Sequence, residues 1–406
     1  MNGERAIGPD ENRGAALLVL LLAIVLGISS ALLASLAAGD PEIERRNRTL
    51  EVLAQAKQAL IAWSVVQGDV WPATQIKDGV EAPTYRRPGT LPCPDTNFFG
   101  SSGSGNASGS CSTAGGTSIG RLPWKSLDME NLRDAHGEPL WYAVSDHFRH
   151  ASQNSAAINS DTKGTLLLYA ADGSTLATPP GEELAAVIFA PGPPLPGQDR
   201  TSSSDVVSGY LEAFDGKNNA SAAGPFVMGP VRDANGDFVT NDLVIGVTAR
   251  ELIAVVEKRA LKEAQIALKQ FAVLPSPAPH DAPGCAFPVT NVKSVLPCEA
   301  DGAICAGRLP EDLLSPHVAP WFVQNGWGRV MIYAISNASC TTSLKVTESP
   351  KNYVLFAPGT ARQGQSRPSS LLSDYLENPG NADGWSGDFD FVVPEWGGND
   401  QLRTDP

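Results

Sequence analysis

The hydrophobic pattern of the chain begins with one long uncharged stretch. Residues 15–38 contain no charged side chain. At about 1.5 Å of rise per residue, a helix of that length crosses a hydrocarbon core of roughly 30 Å. Backbone groups in lipid must bond to one another, which favours a helix. The pattern predicts one transmembrane helix over 15–38, with everything after it on one side of the membrane.

Two later segments repeat their apolar residues at helical spacing. The first, 42–63, has an apolar face that includes Leu53, Ala56 and Leu60. The second, 249–271, has a longer apolar face of the same kind. Pro41 separates the first segment from the uncharged stretch, because proline breaks or kinks a helix. Each segment predicts an amphipathic helix that packs on a globular head.

The part of the chain after the uncharged stretch is an internal duplication. Both copies carry a helix, a Leu-Pro-Cys loop and a Gly-Arg-Leu-Pro segment, followed by short apolar runs that predict strands. The order predicts a first repeat over 39–248 and a second repeat over 249–406, names that are kept below. The matched segments are 91–93 and 296–298, 120–123 and 307–310, 140–145 and 330–336, 186–192 and 353–359, 198–200 and 365–367, 209–212 and 374–377, and 241–243 and 399–401.

Composition and charge narrow the classes of function. The chain has 39 glycines and 32 prolines among 406 residues, which predicts long loops and turns. Its formal net charge is −14. So acidic a chain is not expected to bind nucleic acid or anionic lipid through its head.

Six cysteines follow the uncharged stretch, an even number that favours disulfides in an oxidising compartment. The repeated frame predicts two equivalent bonds, Cys93–Cys111 and Cys298–Cys305, and leaves Cys285–Cys340 for the second repeat alone. A zinc site is the alternative. It lacks paired Cys-x-x-Cys motifs, and the histidines show no ligand spacing.

One loop has the pattern of a calcium site. Asp233, Asn235 and Asp237 alternate around Gly236, and calcium takes six to eight oxygen ligands. Val244 stands where an EF-hand requires a bidentate glutamate, so Asp242 is the substitute ligand in this hypothesis. The alternative is a hairpin turn, because Asn-Gly between strand-like runs favours one. No other cofactor is expected, and the absence of a Gly-x-Ser-x-Gly elbow, a P-loop or a Gly-x-Gly-x-x-Gly motif indicates no enzyme.

The junction Arg13-Gly14-Ala15 closes a short polar leader, residues 1–14, and directly precedes the uncharged stretch. This arrangement resembles the N-terminus of type IV prepilins and of type II secretion pseudopilins. The resemblance implies that a prepilin peptidase cuts between Gly14 and Ala15 and that the new N-terminus is methylated. Most pilins carry glutamate at the fifth mature position, which here is Val19, so the likeness is to minor subunits at a filament tip or in initiation.

The resemblance also implies a fold, a location and partners. The expected class is α+β: a long N-terminal helix, transmembrane and then amphipathic, with two tandem pilin-like units of helix plus antiparallel sheet and disulfide-stapled loops. The expected location is the inner membrane, single-pass, with a periplasmic or extracellular head. The expected partners are other pilin or pseudopilin subunits and the prepilin peptidase.

Three other interpretations of the N-terminus and the head stay open at the level of sequence. The uncharged stretch could be a secretory signal cut near Ala38, although it is longer than such signals usually are. It could be a plain anchor with an accidental glycine at position 14. The head could be a membrane-anchored periplasmic binding or enzymatic module that never joins a filament.

Overall fold

A computed structural model describes most of the chain after position 40. The described residues are 41–68, 87–109, 111, 118–149, 157–178, 182–200, 206–222, 224–272, 286–289, 292–295, 304–309, 317–336, 344–369, 371–383, 390–394 and 398–405. The leader, the uncharged stretch and the Gly14–Ala15 junction lie outside them.

Two long helices and two short ones accompany nineteen strands in the described residues. Helix α1 begins at Pro41, where a missing N–H and a fixed φ suit the first helical turn. The helices are α1 (Pro41–Val65), α2 (Ala249–Ala272), α3 (Pro320–Gln324) and α4 (Pro379–Asp383). The strands are β1 (Ser118–Arg121), β2 (Trp141–Val144), β3 (Leu168–Tyr169), β4 (Leu184–Ala190), β5 (Ala213–Phe214), β6 (Lys217–Asn218), β7 (Phe226–Val227), β8 (Val231–Arg232), β9 (Phe238–Thr240), β10 (Leu243–Thr248), β11 (Ala286–Val289), β12 (Val292–Val295), β13 (Ile304–Arg308), β14 (Ile332–Ser336), β15 (Leu344–Val346), β16 (Ser349–Lys351), β17 (Tyr353–Ala357), β18 (Asp390–Phe391) and β19 (Gln401–Thr404).

Each repeat contains a four-stranded antiparallel sheet with the same order of strands. The first is β1-β2-β4-β10 and the second is β13-β14-β17-β19. Arg121 pairs with Trp141 in the first sheet, and Arg308 pairs with Ile332 in the second. All seven residues of β4 are buried, as expected of a central strand covered on both faces. The matched segments that form strands, 120–123 with 307–310, 140–145 with 330–336 and 186–192 with 353–359, therefore occupy equivalent places in the two sheets.

The two long helices pack on these sheets and share one core. The buried face of α1 includes Leu53, Ala56 and Leu60. On α2 the counterparts Leu261, Ala264 and Leu268 are also buried, and all six belong to one apolar cluster that spans both repeats. When α1 and α2 are aligned on these residues, Thr49 of α1 corresponds to Glu257 of α2, and both polar side chains are buried.

The predicted fold class is wrong. The described residues form a mixed α/β arrangement of seven sheets and four helices, in place of a long N-terminal helix with two simple pilin-like units. Five of the sheets have only two or three strands, and two strand pairs, β3–β7 and β15–β18, are parallel. The sequence pattern did not reveal these pairs because strands of two or three residues are too short to show a period.

The predicted inner-membrane, single-pass location is likewise not supported, and the same correction covers the expected membrane, pilus and secretion features. Among the described residues, no helix is both long enough and apolar enough to cross a bilayer. Both long helices carry charged residues along their length, from Glu42 to Lys57 in α1 and from Arg250 to Lys269 in α2. The stretch on which the prediction rested, 15–38, lies outside the described residues.

Candidate functional site

Buried charged side chains gather around a Pro-Gly turn in each repeat. In the second repeat this turn lies where the two repeats meet. Strands β4 and β17 both end at Pro-Gly, and Gly192 and Gly359 adopt φ of 66° and 63°. That left-handed conformation is accessible to glycine at little cost. This turn directs the glycine carbonyl into the head, where an arginine donates a hydrogen bond to it.

An arginine in each repeat ties this turn to a neighbouring loop. Arg200 donates from Nη1 to the Gly192 carbonyl at 2.6 Å and from Nη2 to the Tyr210 carbonyl at 3.2 Å. Arg367 makes the same bonds to the Gly359 carbonyl, at 2.6 Å, and the Tyr375 carbonyl, at 3.0 Å. Only 6% of the Arg200 side chain and 1% of the Arg367 side chain is exposed. Each guanidinium works as a rigid fork that satisfies carbonyls inside the fold.

A pair of acids, one buried aspartate and one half-buried glutamate, lies near each arginine. In the first repeat, Asp242 accepts the backbone N–H of Glu212 at 3.1 Å, and Glu212 accepts that of Asn241 at 3.1 Å. In the second repeat, Asp400 accepts the backbone N–H of Glu377 at 2.8 Å, and Glu377 in turn accepts an N–H from the residue before Asp400. The reciprocal bonds fasten the last strand of each sheet to the loop after the arginine.

The two repeats differ in the carboxylate that receives the glycine N–H. Gly192 donates to Asp134, on the turn before β2, at 2.8 Å. Gly359 donates to Glu257, on α2, at 3.0 Å. Glu257 is fully buried and also accepts from the Ser160 hydroxyl and from Gln401 Nε2. One carboxylate thus joins the first repeat, the connecting helix and the second sheet.

The loop around Ser160 holds the two repeats together on either side of Glu257. Asn159 donates from Nδ2 to the Asn325 carbonyl at 2.8 Å. Asn325 returns a bond from Nδ2 to the Pro88 carbonyl at 3.0 Å. Asp161 lies 3.9 Å from Arg367 Nη1. The junction is therefore a continuous hydrogen-bonded surface rather than a hinge.

Burial dominates the electrostatics of this site. It raises the pKa of Glu257 to about 7, opposed by hydrogen bonds from Ser160 and Gly359. It raises the pKa of Asp400 to about 7 as well, with the neighbouring Glu377 charge adding to the effect. Burial also raises the pKa of Asp161, against the pull of Arg367 and Arg308. In the first repeat, burial and the Glu212 charge raise the pKa of Asp242.

Glu257 and Asp400 can hold protons near neutral pH, but both accept hydrogen bonds from backbone N–H groups. Every carboxylate described above accepts at least one bond from a backbone N–H or a neighbouring side chain, or faces an arginine. Among the described residues, no group of three or more His, Cys, Asp and Glu side chains could hold a metal ion. The arrangement fixes loops and joins the repeats.

The four predicted calcium ligands do not come together. Asp233 uses Oδ1 to accept the backbone N–H groups of Asn235 and Asp237, both at 2.9 Å, and its own N–H donates to the Asp237 carbonyl at 2.9 Å. These bonds close the hairpin between β8 and β9. Asp242 lies in the separate acid pair with Glu212. The alternative interpretation, a hairpin turn, describes the geometry.

The hairpin gives a direct prediction. We expect Asp233→Ala to lower the free energy of unfolding by about 1 kcal/mol, since it removes the acceptor of two turn bonds. We also expect millimolar calcium to leave the melting temperature unchanged in the unaltered protein. Thermal unfolding with calcium and with chelator checks both, and a rise of several degrees with calcium would restore the metal site.

The predicted processing and disulfide residues divide between described and undescribed positions. Cys93 and Cys111 form a disulfide. Cys305 lies in β13, and its side chain is not among those described. Gly14, Ala15, Cys285, Cys298 and Cys340 lie outside the described residues.

Sequence reasoning noted the matched arginines and acids of the site only as marks of duplication. The matches Gln198–Arg200 with Gln365–Arg367, and Asn241–Asp242 with Asn399–Asp400, were the available signal. Glu257 gave no such signal, because it is one of several charged residues on an amphipathic helix.

The chain matches no protein-family model, no curated protein and no solved structure.

Proposed function

We propose that the protein is a structural subunit of the minor pilin or pseudopilin kind, which assembles with other subunits through a processed N-terminal segment. The observation that carries the proposal is the junction Arg13-Gly14-Ala15 followed by an uncharged stretch up to Ala38. Val19 favours a role at a filament tip or in initiation over a role in the shaft. The partners are then other subunits of this kind and a prepilin peptidase.

The head supports a structural role over a catalytic one. The buried acids and arginines of the junction are engaged in holding backbone, as described above. Helix α1 leads from the head toward the N-terminal segment, and residues 41–46 at its start are exposed. Because the start of this helix is exposed, it can contact other subunits and so connect the head to an assembly.

The mass of the mature N-terminus tests the proposal. In the native host, we expect a chain that begins at Ala15 with a methylated amine. Replacing Gly14 by leucine should abolish the cut, whereas replacing Gly39 by alanine should leave it unchanged. An intact Met1, or a cut near Ala38, would overturn the proposal in favour of an anchor or a secretory signal.

A further inference from the structure

The first repeat leaves a cleft open beside the first turns of α1. The cleft has a volume of about 290 Å³. One wall is the helix face that carries Arg45, Arg46 and Thr49. The opposite wall is mostly apolar and includes Phe238 and Leu243. The first turns of α1 and the adjacent ends of β4 and β10 therefore face a space between them.

The equivalent surface of the second repeat is covered by the first repeat. The alignment of Thr49 with Glu257 places Arg45 opposite Ile253 of α2. Arg45 is exposed, whereas Ile253 is fully buried. Glu257, the counterpart of Thr49, receives the Ser160 hydroxyl from the first repeat. The first repeat has nothing before it in the described residues to supply the same cover.

The second repeat leaves a different surface uncovered. Val392 follows β18, and its backbone N–H donates to Asn381 Oδ1 at 2.8 Å. Val227 in the first repeat is held in the same way by Asn219 Oδ1 at 2.9 Å. Val227 is fully buried, but Val392 is 37% exposed and the next residue, Val393, is 61% exposed. Strand β18 lies at the edge of its sheet, so this apolar segment is accessible.

We propose that the cleft of one copy of this chain receives the segment 390–394 of a second copy. Within the described residues, each repeat lacks a cover that its counterpart has, and a head-to-tail contact supplies both covers at once. The charges also match: Asp390 is exposed at the start of the segment, and Arg45 and Arg46 form one wall of the cleft. The third charged residue of the lining, Glu42, faces Arg232 at 3.7 Å.

Where the contact is not reciprocated by the same two chains it is heterologous, and it then builds a ring or an open row of copies. The contact lies wholly in the head. It goes beyond the function proposed above, and it does not require a cut at Gly14.

Photo-crosslinking tests which segment occupies the cleft. Phe238 is replaced by p-benzoylphenylalanine in full-length chains, which are mixed with isotope-labelled unaltered chains and illuminated. We expect crosslinked peptides that join Phe238's position to labelled residues 390–394. The control places the same crosslinker at Phe98, which is 79% exposed and outside the cleft. Crosslinks from position 238 to the chain's own N-terminal residues, to another protein only, or to no second copy would overturn the proposal.

A charge swap tests the pairing. Arg45→Glu should lower the crosslinking yield at equal concentration by about tenfold, the size expected of a like charge placed against Asp390. Asp390→Arg in the labelled chain, whose segment enters the altered cleft, should restore it. Arg48→Glu, an equal change on the same helix outside the cleft lining, should leave the yield unchanged. Loss of crosslinking without restoration by the swap would reject the contact. The mass of the N-terminus, measured on the same samples, tests the filament role separately.

Discussion

Replacing Arg367 by alanine is expected to lower the free energy of unfolding by about 3–5 kcal/mol. The Arg367 side chain is 1% exposed, and its guanidinium donates to the carbonyls of Gly359, Asp374 and Tyr375. It also lies 4.7 Å from the centre of the Tyr375 ring. Without it, several buried carbonyls lose their donor at once, and each unsatisfied group costs about 1–3 kcal/mol.

Lysine at this position should rescue little of the loss. A lysine ammonium is a point charge. Arg367 instead donates from three nitrogens of one planar group, each in a fixed direction. We expect Arg367→Lys to remain at least about 2 kcal/mol less stable than the unaltered protein. Arg200→Ala, the counterpart in the first repeat, should show a loss of similar size.

Denaturant unfolding measures these differences, with the midpoint read at constant slope. Arg403→Ala is the matched control, because Arg403 is an exposed arginine on β19 of the same sheet. It should change stability by no more than about 0.5 kcal/mol. If Arg367→Ala lowered the free energy of unfolding by no more than the control does, water would be reaching the turn carbonyls and the guanidinium of Arg367 would not be needed to satisfy them.

The central strands of the two four-stranded sheets could be predicted from sequence because duplication presents the same element twice. A single run such as 353–357 is ambiguous between helix and strand, but its match to 186–190 shows two runs that both end at Pro-Gly. Both runs are central strands in the structure. The start of α1 was also visible, because Pro41 fits only the first turn of a helix.

The small sheets and the junction could not be predicted in the same way. A pairing such as Leu168 with Phe226 joins residues far apart in the chain through strands of two residues. Glu257 is buried only because the Ser160 loop and the Gly359 turn close over it. These contacts join segments far apart in the chain, so the pattern of charges along α2 does not predict that Glu257 is buried.

The four predicted calcium ligands lie apart for a related reason. The oxygen pattern of 233–237 suits both an ion and a hairpin, and the choice depends on whether a further ligand arrives from elsewhere. Asp242 is the residue that would have closed the set. It is drawn instead to Asn219 and the backbone of Glu212, where its Oδ2 accepts bonds at 2.9 and 3.1 Å. The Oδ2 atom is therefore already satisfied by donors inside the first repeat, away from the 233–237 turn.

Stability should fall as the pH rises from 5 to 8, and the acids of the junction are the cause. Burial raises the pKa of Glu257 and that of Asp400 to about 7 in the folded protein. In the unfolded chain both groups ionise near their ordinary pKa of about 4. Between those values the folded protein holds protons that the unfolded chain has released. Raising the pH therefore favours unfolding, and the stabilising contribution is complete only at low pH.

The size follows from the shift. A raise of between two and three units corresponds to roughly 3 kcal/mol for one group, lost progressively up to pH 8. The charge of Glu257 also adds to the raised pKa of Asp400. Each of the two groups contributes roughly 2–3 kcal/mol of this fall between pH 5 and pH 8, so we expect the free energy of unfolding to fall by roughly 5 kcal/mol in all.

Glu257→Gln separates this effect from every other titrating group. The amide carries no charge to bury, and Gln401 can rotate its own amide to pair with it, since the two side chains already meet at 2.9 Å. The variant should lose about half of the pH dependence and should be more stable than the unaltered protein at pH 8. Lys258→Met, on the exposed neighbouring position of α2, should keep the full dependence. Denaturant unfolding at pH 5, 6.5 and 8 gives the comparison. The free energy of unfolding of the variant and of the unaltered protein could instead change with pH in parallel. Glu257 would then be ionised in the folded protein from pH 5 to pH 8, with the positive charge of Arg367 offsetting the cost of burying its carboxylate.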